Sequence, residues 1–167
     1  MITVRTATSA DVESIAALHS AGWREGFEGI VPRELTPTPE RLAERTRERF
    51  ADPARRRILA EVGGEVAGFC FFGPSRDDGA APDVGEIYVL FVAPPEWRSG
   101  IGRTLVECAL AELRDFNEVT LWSAAGNARA NAFYEALGFA LDGAERFRPE
   151  FGNVREVRYR RALPRPP

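Results

Sequence analysis

The tripeptide Gly100-Ile101-Gly102 lies where a predicted buried strand, residues 86–92, gives way to a predicted helix. Glycines let the backbone bend tightly, so that several N–H groups are exposed at the positive end of the helix. Such a group of donors binds anions and suits a pyrophosphate. A Gly-x-Gly pair alone often marks only a turn, but its position between a strand and a helix favours an anion site.

A dinucleotide-binding fold would use a similar glycine loop, but the sequence argues against it. Leu105 stands where the third glycine of that pattern would be, and the loop follows a predicted β-hairpin in the middle of the chain. No repeated β-α-β pattern precedes it. All 22 basic residues are arginine, which also excludes a P-loop lysine and a lysine Schiff base.

The composition is typical of one globular domain: 167 residues, 44% hydrophobic, 28% charged, with a net charge of −3. We expect one domain over residues 1–163 and a frayed tail at 164–167. The mild acidity argues against a nucleic-acid partner, and one histidine and two cysteines argue against a metal site or a disulfide framework. The longest apolar run, residues 87–93, is too short to cross a membrane, and the N-terminus lacks an export-signal pattern, so we expect a cytoplasmic protein without a membrane partner.

The predicted elements follow the order β-α-α-β-β-β-α-β-α-β-β, which indicates a mixed α/β fold with helices flanking a sheet. Gly63-Gly64 separates two short alternating segments and predicts the turn of a β-hairpin. Ser9 and Asn127 are suited to cap the first and last helices. The predicted strands are 2–6, 58–62, 65–72, 86–92, 119–123 and a final pair within 145–163; the second helix spans 39–50 and the third follows Gly102.

Two segments resemble sequence motifs of the GNAT acetyltransferase superfamily. Residues 92–103 resemble the acyl-CoA pyrophosphate loop, whose pattern is Gln/Arg-x-x-Gly-x-Gly/Ala after a Val-x-Pro strand end. Residues 127–139 match the second motif, Asn-x-x-Ala-x-x-Phe-Tyr-x-x-x-Gly-Phe. Both lie in family order, and the element order fits from residue 2 to 163. The resemblance implies a mixed, mostly antiparallel sheet flanked by about four helices and splayed between its fourth and fifth strands.

The resemblance also implies acetyl-CoA as cosubstrate, no metal, and transfer of the acetyl group to a primary amine by direct attack in a ternary complex. The pantetheine arm would pack like an extra strand against Leu90, Phe91 and Val92, and a backbone N–H near Leu90 would polarise the thioester carbonyl. Trp97 departs from the family pattern at the Gln/Arg position, although backbone N–H groups still supply most of the phosphate site. The other cofactor-binding residues implied are Arg98, Ser99, Gly100, Ile101, Gly102, Arg103, Asn127 and Tyr134, with Arg129 as a further phosphate ligand.

Glu86 and Tyr134 are the catalytic residues that the resemblance implies. Glu86, at the beginning of the fourth strand, matches the general base of histone-acetyltransferase-like members, which acts directly or through a water. Tyr134 matches the family tyrosine that protonates the CoA sulfur. The alternatives are a solvated carboxylate at a strand end and a tyrosine in the helix core beside Phe133. Some relatives carry another glutamate five residues before Asn127, where this chain has Trp122.

The acceptor site is predicted to include Trp23, Phe27 and Glu28. Residues 23–32 resemble a Trp-x-x-x-aromatic-x-Gly-x-x-Pro stretch of one bacterial group, in which this loop lines the acceptor pocket; loop packing explains the same residues equally well. His19 is predicted to be a packed residue of the first helix. The resemblance implies a small-molecule amine or a peptide or protein N-terminal amine as acceptor, and a homodimer. The alternative to an enzyme is a non-catalytic acyl-CoA-binding or sensing module, which the altered loop around Trp97 would suit.

Overall fold

Seven strands in one sheet and four α-helices form the part of the chain that the computed structural model describes, residues 1–164. The predicted tail at 164–167 falls outside the described residues apart from Pro164. The strands are β1 (Ile2–Thr6), β2 (Arg56–Val62), β3 (Glu65–Pro74), β4 (Val84–Val92), β5 (Glu118–Ala124), β6 (Ala140–Arg148) and β7 (Val154–Ala162). The helices are α1 (Val12–Gly26), α2 (Pro39–Phe50), α3 (Ile101–Glu112) and α4 (Ala128–Ala136).

The sheet has the order β1-β2-β3-β4-β5-β7-β6, and its neighbouring strands are antiparallel except for β4 and β5. These two parallel strands pair only from Val84 to Glu86 on β4 and from Glu118 to Thr120 on β5. Beyond Glu86 they separate, and β4 carries a bulge at Tyr88, where the pairing with β3 shifts by one residue. A bulge bends its strand and increases the local twist. The mixed fold class and the splay between the fourth and fifth strands are therefore confirmed.

Helix ends follow local capping rules, with one difference from the sequence prediction. The Asn127 side chain accepts a hydrogen bond from the Ala130 N–H at 3.2 Å, as predicted for the cap of α4. Ser9 is not the cap of α1, so that prediction is wrong. A short 3-10 turn precedes α1, and the Asp11 carboxylate accepts hydrogen bonds from both the N–H and the hydroxyl of Thr8. An acid three residues after a threonine can accept hydrogen bonds from that threonine's donors, and this pair therefore caps the turn that leads into α1.

The last strand pair is longer than the sequence prediction. β6 begins at Ala140, five residues before the predicted start, and pairs with β7 through a register irregularity between Leu141 and Glu145. Gly143 lies in this irregularity with a φ of +88°. A glycine with positive φ beside an aspartate is typical of a turn, and here it lies inside the strand as an irregularity of the pairing.

The two faces of the sheet bury separate cores. Along β3, Cys70 and Phe72 belong to the core beneath α3, whereas Phe69 and Phe71 belong to the core beneath α1. Alternate side chains of a strand point to opposite faces, so a central strand covered by helices on both sides is apolar at consecutive positions. β4 lies beside β3 as the central strand of the seven, and it is not paired with β5 beyond Glu86.

Candidate active site

A cavity of about 300 Å³ opens where β4 and β5 separate. Its wall combines the end of β4 that is not paired with β5, residues of β5, the beginning of α4 and the inner face of α1. The structure therefore brings together predicted residues from three separate stretches of sequence. Those on the cavity wall are Trp23, Phe27, Glu86, Leu90, Phe91, Val92, Asn127, Arg129 and Tyr134.

Other predicted residues lie beside the cavity. Glu28 is exposed and lines a separate pocket of about 410 Å³, which shares Trp23 and Phe27 with the main cavity. The remaining residues predicted to bind the cofactor form the loop before α3 and its first turn; they are Arg98, Ser99, Gly100, Ile101, Gly102 and Arg103.

Glu86 is buried at the point where the two strands part, with a relative exposure of 1%. Its Oε2 accepts a hydrogen bond from the Arg76 N–H at 2.7 Å, and its Oε1 accepts one from Arg76 Nη2 at 2.8 Å. The alternative of a solvated carboxylate at a strand end is therefore wrong. β4 begins at Val84, two residues earlier than predicted, so Glu86 lies within the sheet and Arg76 covers it.

Tyr134 lies on α4 with its ring among other aromatic side chains. The ring centroids of Phe133, Phe139 and Tyr159 lie 5.3, 6.1 and 6.2 Å away. Burial raises the pKa of the Tyr134 phenol far above its ordinary value, so the side chain remains protonated at neutral pH. Within residues 1–164 its hydroxyl makes no hydrogen bond, and the residue lines the cavity. The side chain thus packs in the core and retains a hydroxyl proton for a ligand.

The loop before α3 presents free main-chain donors. Gly100 precedes the helix with a φ of +93°, a conformation that favours glycine, and its carbonyl accepts the first intrahelical bond from the Thr104 N–H at 3.0 Å. The amides of Ile101, Gly102 and Arg103 precede that bond and so lack an intrahelical partner. Donors of this kind, at the positive end of a helix, form an anion site.

Trp97 ties this loop to the end of β4. Its indole N–H donates to the Val92 carbonyl at 2.9 Å, and the Arg129 guanidinium lies 3.3 Å from the centre of its ring. A stacked guanidinium is held in place by cation–π attraction and keeps its charge. The residue that departs from the family pattern therefore anchors the loop and places an arginine beside it.

The sequence analysis missed Arg76, which holds Glu86. Arg76 belongs to the loop between β3 and β4, and the neighbouring Asp77 accepts hydrogen bonds from the Trp122 indole and from Arg158 Nη1, each at 2.9 Å. The only local signal was a polar run after a strand, which many loops share. Asp77 is 45 positions from Trp122 and 81 positions from Arg158 in the sequence, and contacts at such separations leave no local pattern that would reveal them.

His19 is a packed residue, as predicted, and it also borders the cavity. Its Nε2 accepts a hydrogen bond from the Trp23 indole at 3.2 Å, and its ring lies 4.4 Å from that of Phe91. Burial, with the charges of Arg49 and Arg45, lowers the pKa of His19 to about 3. The imidazole is therefore neutral at physiological pH.

Residues 1–164 contain neither a metal-binding cluster nor a membrane-spanning helix. No group of three or more His, Cys, Asp or Glu side chains in this part of the chain could hold a metal ion. None of the helices formed by these residues has the length and apolar character that a membrane span requires.

Comparisons with known proteins identify the family. The model of the acetyltransferase (GNAT) family matches residues 15–139. A probable N-acetyltransferase of Mycobacterium tuberculosis is 33% identical over 99% of this chain and 97% of its own length. A mycothiol acetyltransferase of Pseudarthrobacter chlorophenolicus is 34% identical over 65% of this chain, which corresponds to 34% of its own length.

A solved structure shares the fold. PaiA N-acetyltransferase from Thermoplasma acidophilum, in complex with coenzyme A, superposes with a TM-score of 0.79 at 17% identity, over 98% of this chain and 99% of that one. The fold agrees with the family match, which covers most of the sequence and both motif segments. The chain belongs to the GNAT family of acetyltransferases and is an acyltransferase.

Proposed function

We propose that this protein transfers an acetyl group from acetyl-CoA to a primary amine by direct attack within a ternary complex. The observation that carries the proposal is the cavity between β4 and β5, whose wall contains both Glu86 and Tyr134. The cavity adjoins the loop and first helical turn at residues 98–103, called here the anion loop. A buried carboxylate and a protonated phenol on one cavity wall are the groups that amine acylation requires.

The free edge of β4 supports the proposed cofactor position. Leu90, Phe91 and Val92 pair with β3 on one side, but pairing with β5 on the other side ends at Glu86. An unpaired strand edge offers main-chain donors and acceptors, so the amide groups of a pantetheine arm can pair with it as a further strand would. An N–H near Leu90 would polarise the thioester carbonyl.

The loop residues would hold the phosphates. The amides of residues 98–103 would bind the pyrophosphate at the positive end of α3. Arg98, Arg103 and Arg129 would contribute positive charge, and Asn127 a further polar contact. Since the chain has no lysine, the positive charge at this loop must come from arginine side chains and from the partial charges of main-chain N–H groups.

The proton steps follow from the two catalytic groups. Acetyl-CoA, when bound, supplies the thioester carbon that the amine attacks. Glu86 would take a proton from the substrate ammonium, directly or through a water, and leave the nitrogen lone pair free for attack. As the new C–N bond forms and the C–S bond breaks, Tyr134 would donate its hydroxyl proton to the departing sulfur. The second amine proton would return to the phenolate through solvent.

The acceptor would enter between α1 and the end of the sheet. Trp23 and Phe27 stack with ring centroids 4.4 Å apart and would form the apolar wall beside the amine. Glu28, which lines the adjoining pocket, would contact acceptors that extend beyond the cavity. A small-molecule amine or a peptide N-terminus would fit this entrance.

The proposal is tested by incubating the protein with acetyl-CoA and a panel of amines. Thiol release is followed, and mass spectrometry detects an acetylated product. We expect at least one amine to gain an acetyl group in step with thiol release, and the double variant E86Q/Y134F to lose turnover. A protein that binds acetyl-CoA tightly but acetylates no member of a broad amine panel would contradict the proposal and favour a sensing module.

A further inference from the structure

Arginines are in excess on the cavity wall. Two glutamates, Glu86 and Glu156, are the acidic residues there. Beyond Arg129 near the anion loop, five arginines share this wall, namely Arg45, Arg49, Arg76, Arg146 and Arg148. A free amine is a cation at neutral pH, so such a wall repels it unless another part of the acceptor carries negative charge.

Arg76, Arg49 and Arg45 lie together at the end of the cavity away from the loop before α3. The Trp97 indole binds that loop to Val92, whereas Arg76 pairs with Glu86. Glu86 and Val92 are six positions apart on β4, a distance of about 20 Å along the strand. Arg49 lies close enough to Arg76 and Arg45 for their charges to act on its guanidinium. Positive charge is therefore concentrated around Glu86, where the acceptor amine must lie.

Three of the five arginines already have carboxylate partners. Arg76 pairs with Glu86, Arg146 with Glu156 at 2.5 Å, and Arg148 with Glu150 at 2.6 Å. In the described part of the chain, no carboxylate lies within ion-pair distance of Arg45 or Arg49, and these two remain available to a ligand.

Arg49 is the more constrained of the two. Its Nη1 is buried and makes no hydrogen bond within residues 1–164. Its burial, together with the charges of Arg55, Arg76 and Arg45, lowers its pKa to about 10, so the group is still cationic at neutral pH. An unpaired buried charge is costly, and an anion that enters the cavity would relieve that cost.

We propose, on the basis of the acetyl transfer inferred above, that the acceptor amine carries an anionic group, a carboxylate or a phosphate, which Arg49 binds with the help of Arg45. The anion compensates the unpaired arginines and directs the amine towards Glu86. The same cationic surroundings favour the neutral, nucleophilic form of the amine. Polyamines and other acceptors with several positive charges are disfavoured.

Matched pairs of acceptors test this proposal. Phenylalanine and β-alanine are compared with their amides, and phosphoethanolamine is compared with ethanolamine, so that carboxylate and phosphate are separate arms. In at least one arm, carboxylate or phosphate, we expect kcat/KM to be about 10- to 100-fold higher for the anionic acceptor than for its neutral counterpart. This difference is the effect of one or two charge-assisted hydrogen bonds. R49Q and R45Q should reduce this ratio towards one, whereas R49K should retain part of it.

R41Q is the control, because Arg41 lies on the same helix but is exposed and pairs with Glu44. It should leave the ratio unchanged. Amides that react as well as acids in wild type, or an R49Q variant that loses activity equally on both members of a pair, would overturn the proposal.

Binding provides a readout that does not depend on turnover. All three tryptophans of the chain, Trp23, Trp97 and Trp122, line the cavity, so their fluorescence should report its occupancy. With CoA present, N-acetylated acids should bind about tenfold or more tightly than N-acetylated amides, and R49Q should remove the difference. Selective binding of acids without any acetylation would overturn only the proposed activity. Acetylation without a preference for anions, or equal binding of acids and amides, would overturn only the present inference.

Discussion

The Glu86 carboxylate accepts two hydrogen bonds from Arg76, one from its side chain at 2.8 Å and one from its main-chain N–H at 2.7 Å. The two residues are ten positions apart in the sequence. The Arg76 side chain is 40% exposed, whereas that of Glu86 is 2% exposed. A partly exposed loop residue thus covers a buried acid at the point where β4 and β5 separate. This pairing holds the carboxylate in place on the wall of the cavity.

Replacement of Glu86 by glutamine should lower kcat by about 10²- to 10³-fold, because the amide cannot accept the ammonium proton. The KM for acetyl-CoA should change little, because Glu86 lies far from the anion loop. E156Q is the matched control: Glu156 also lines the cavity and pairs with an arginine. Steady-state kinetics of both variants decide the assignment, and a loss of kcat in E156Q but not in E86Q would contradict it.

Tyr134→Phe should lower kcat by about 10- to 100-fold and leave the melting temperature nearly unchanged, since the hydroxyl has no partner among residues 1–164. Y159F should behave in the opposite way. The Tyr159 hydroxyl donates to Glu135 at 3.0 Å, so its loss should reduce the free energy of unfolding by about 1 kcal/mol without affecting kcat. Thermal unfolding and initial rates separate the two effects, and equal rates for wild type and Y134F would disprove the acid role.

Gly100→Ala should raise the KM for acetyl-CoA about tenfold or more, because alanine resists a φ of +93° and would displace the amides of the anion loop. G64A provides a control for backbone strain alone. Gly64 has a φ of +86° in the β2–β3 turn and, like Gly100, has open space around its Cα. Both variants should lose about 1–2 kcal/mol of stability, but only G100A should bind CoA more weakly in calorimetry. Equal CoA affinity in both variants would argue against phosphate binding at this loop.

The stability of the protein should fall between pH 7 and pH 5 through His19. The folded state holds its pKa at about 3, whereas the value for an exposed histidine is 6.5, so below pH 6.5 the unfolded chain binds a proton that the folded chain does not. The free energy of unfolding should therefore be about 2 kcal/mol lower at pH 5 than at pH 7.

Urea denaturation of wild type and H19Q at the two pH values measures this contribution. Because His19 is the single histidine of the chain, H19Q should show little change between pH 5 and pH 7. The depressed pKa of Asp11, caused first by its hydrogen bonds from Arg5, acts only at lower pH, where its stabilising charge is lost as the carboxylate protonates. A slope in H19Q as steep as that of wild type would show that other groups control the acid sensitivity.

Several features of this protein were predictable because they depend on neighbours in sequence. The hairpin at Gly63-Gly64, the cap at Asn127 and the strand-to-helix loop at Gly100 follow from local backbone preferences and short-range hydrogen bonds. The two motifs then indicated the family, and with it the splayed sheet that the structure has.

The environment of the proposed site was decided by tertiary structure alone. Whether Glu86 was solvated or buried depended on the start of β4 and on Arg76 in the β3–β4 loop. The unpaired Arg49 comes to the cavity from α2, which lies far from β4 in the sequence. The physical reason is that burial and charge pairing arise from contacts between distant segments, which residue periodicity does not encode. The sequence thus determined the elements and the family of this protein, whereas the packing of α2, the β3–β4 loop and β6 around one cavity decided the charge that an acceptor meets.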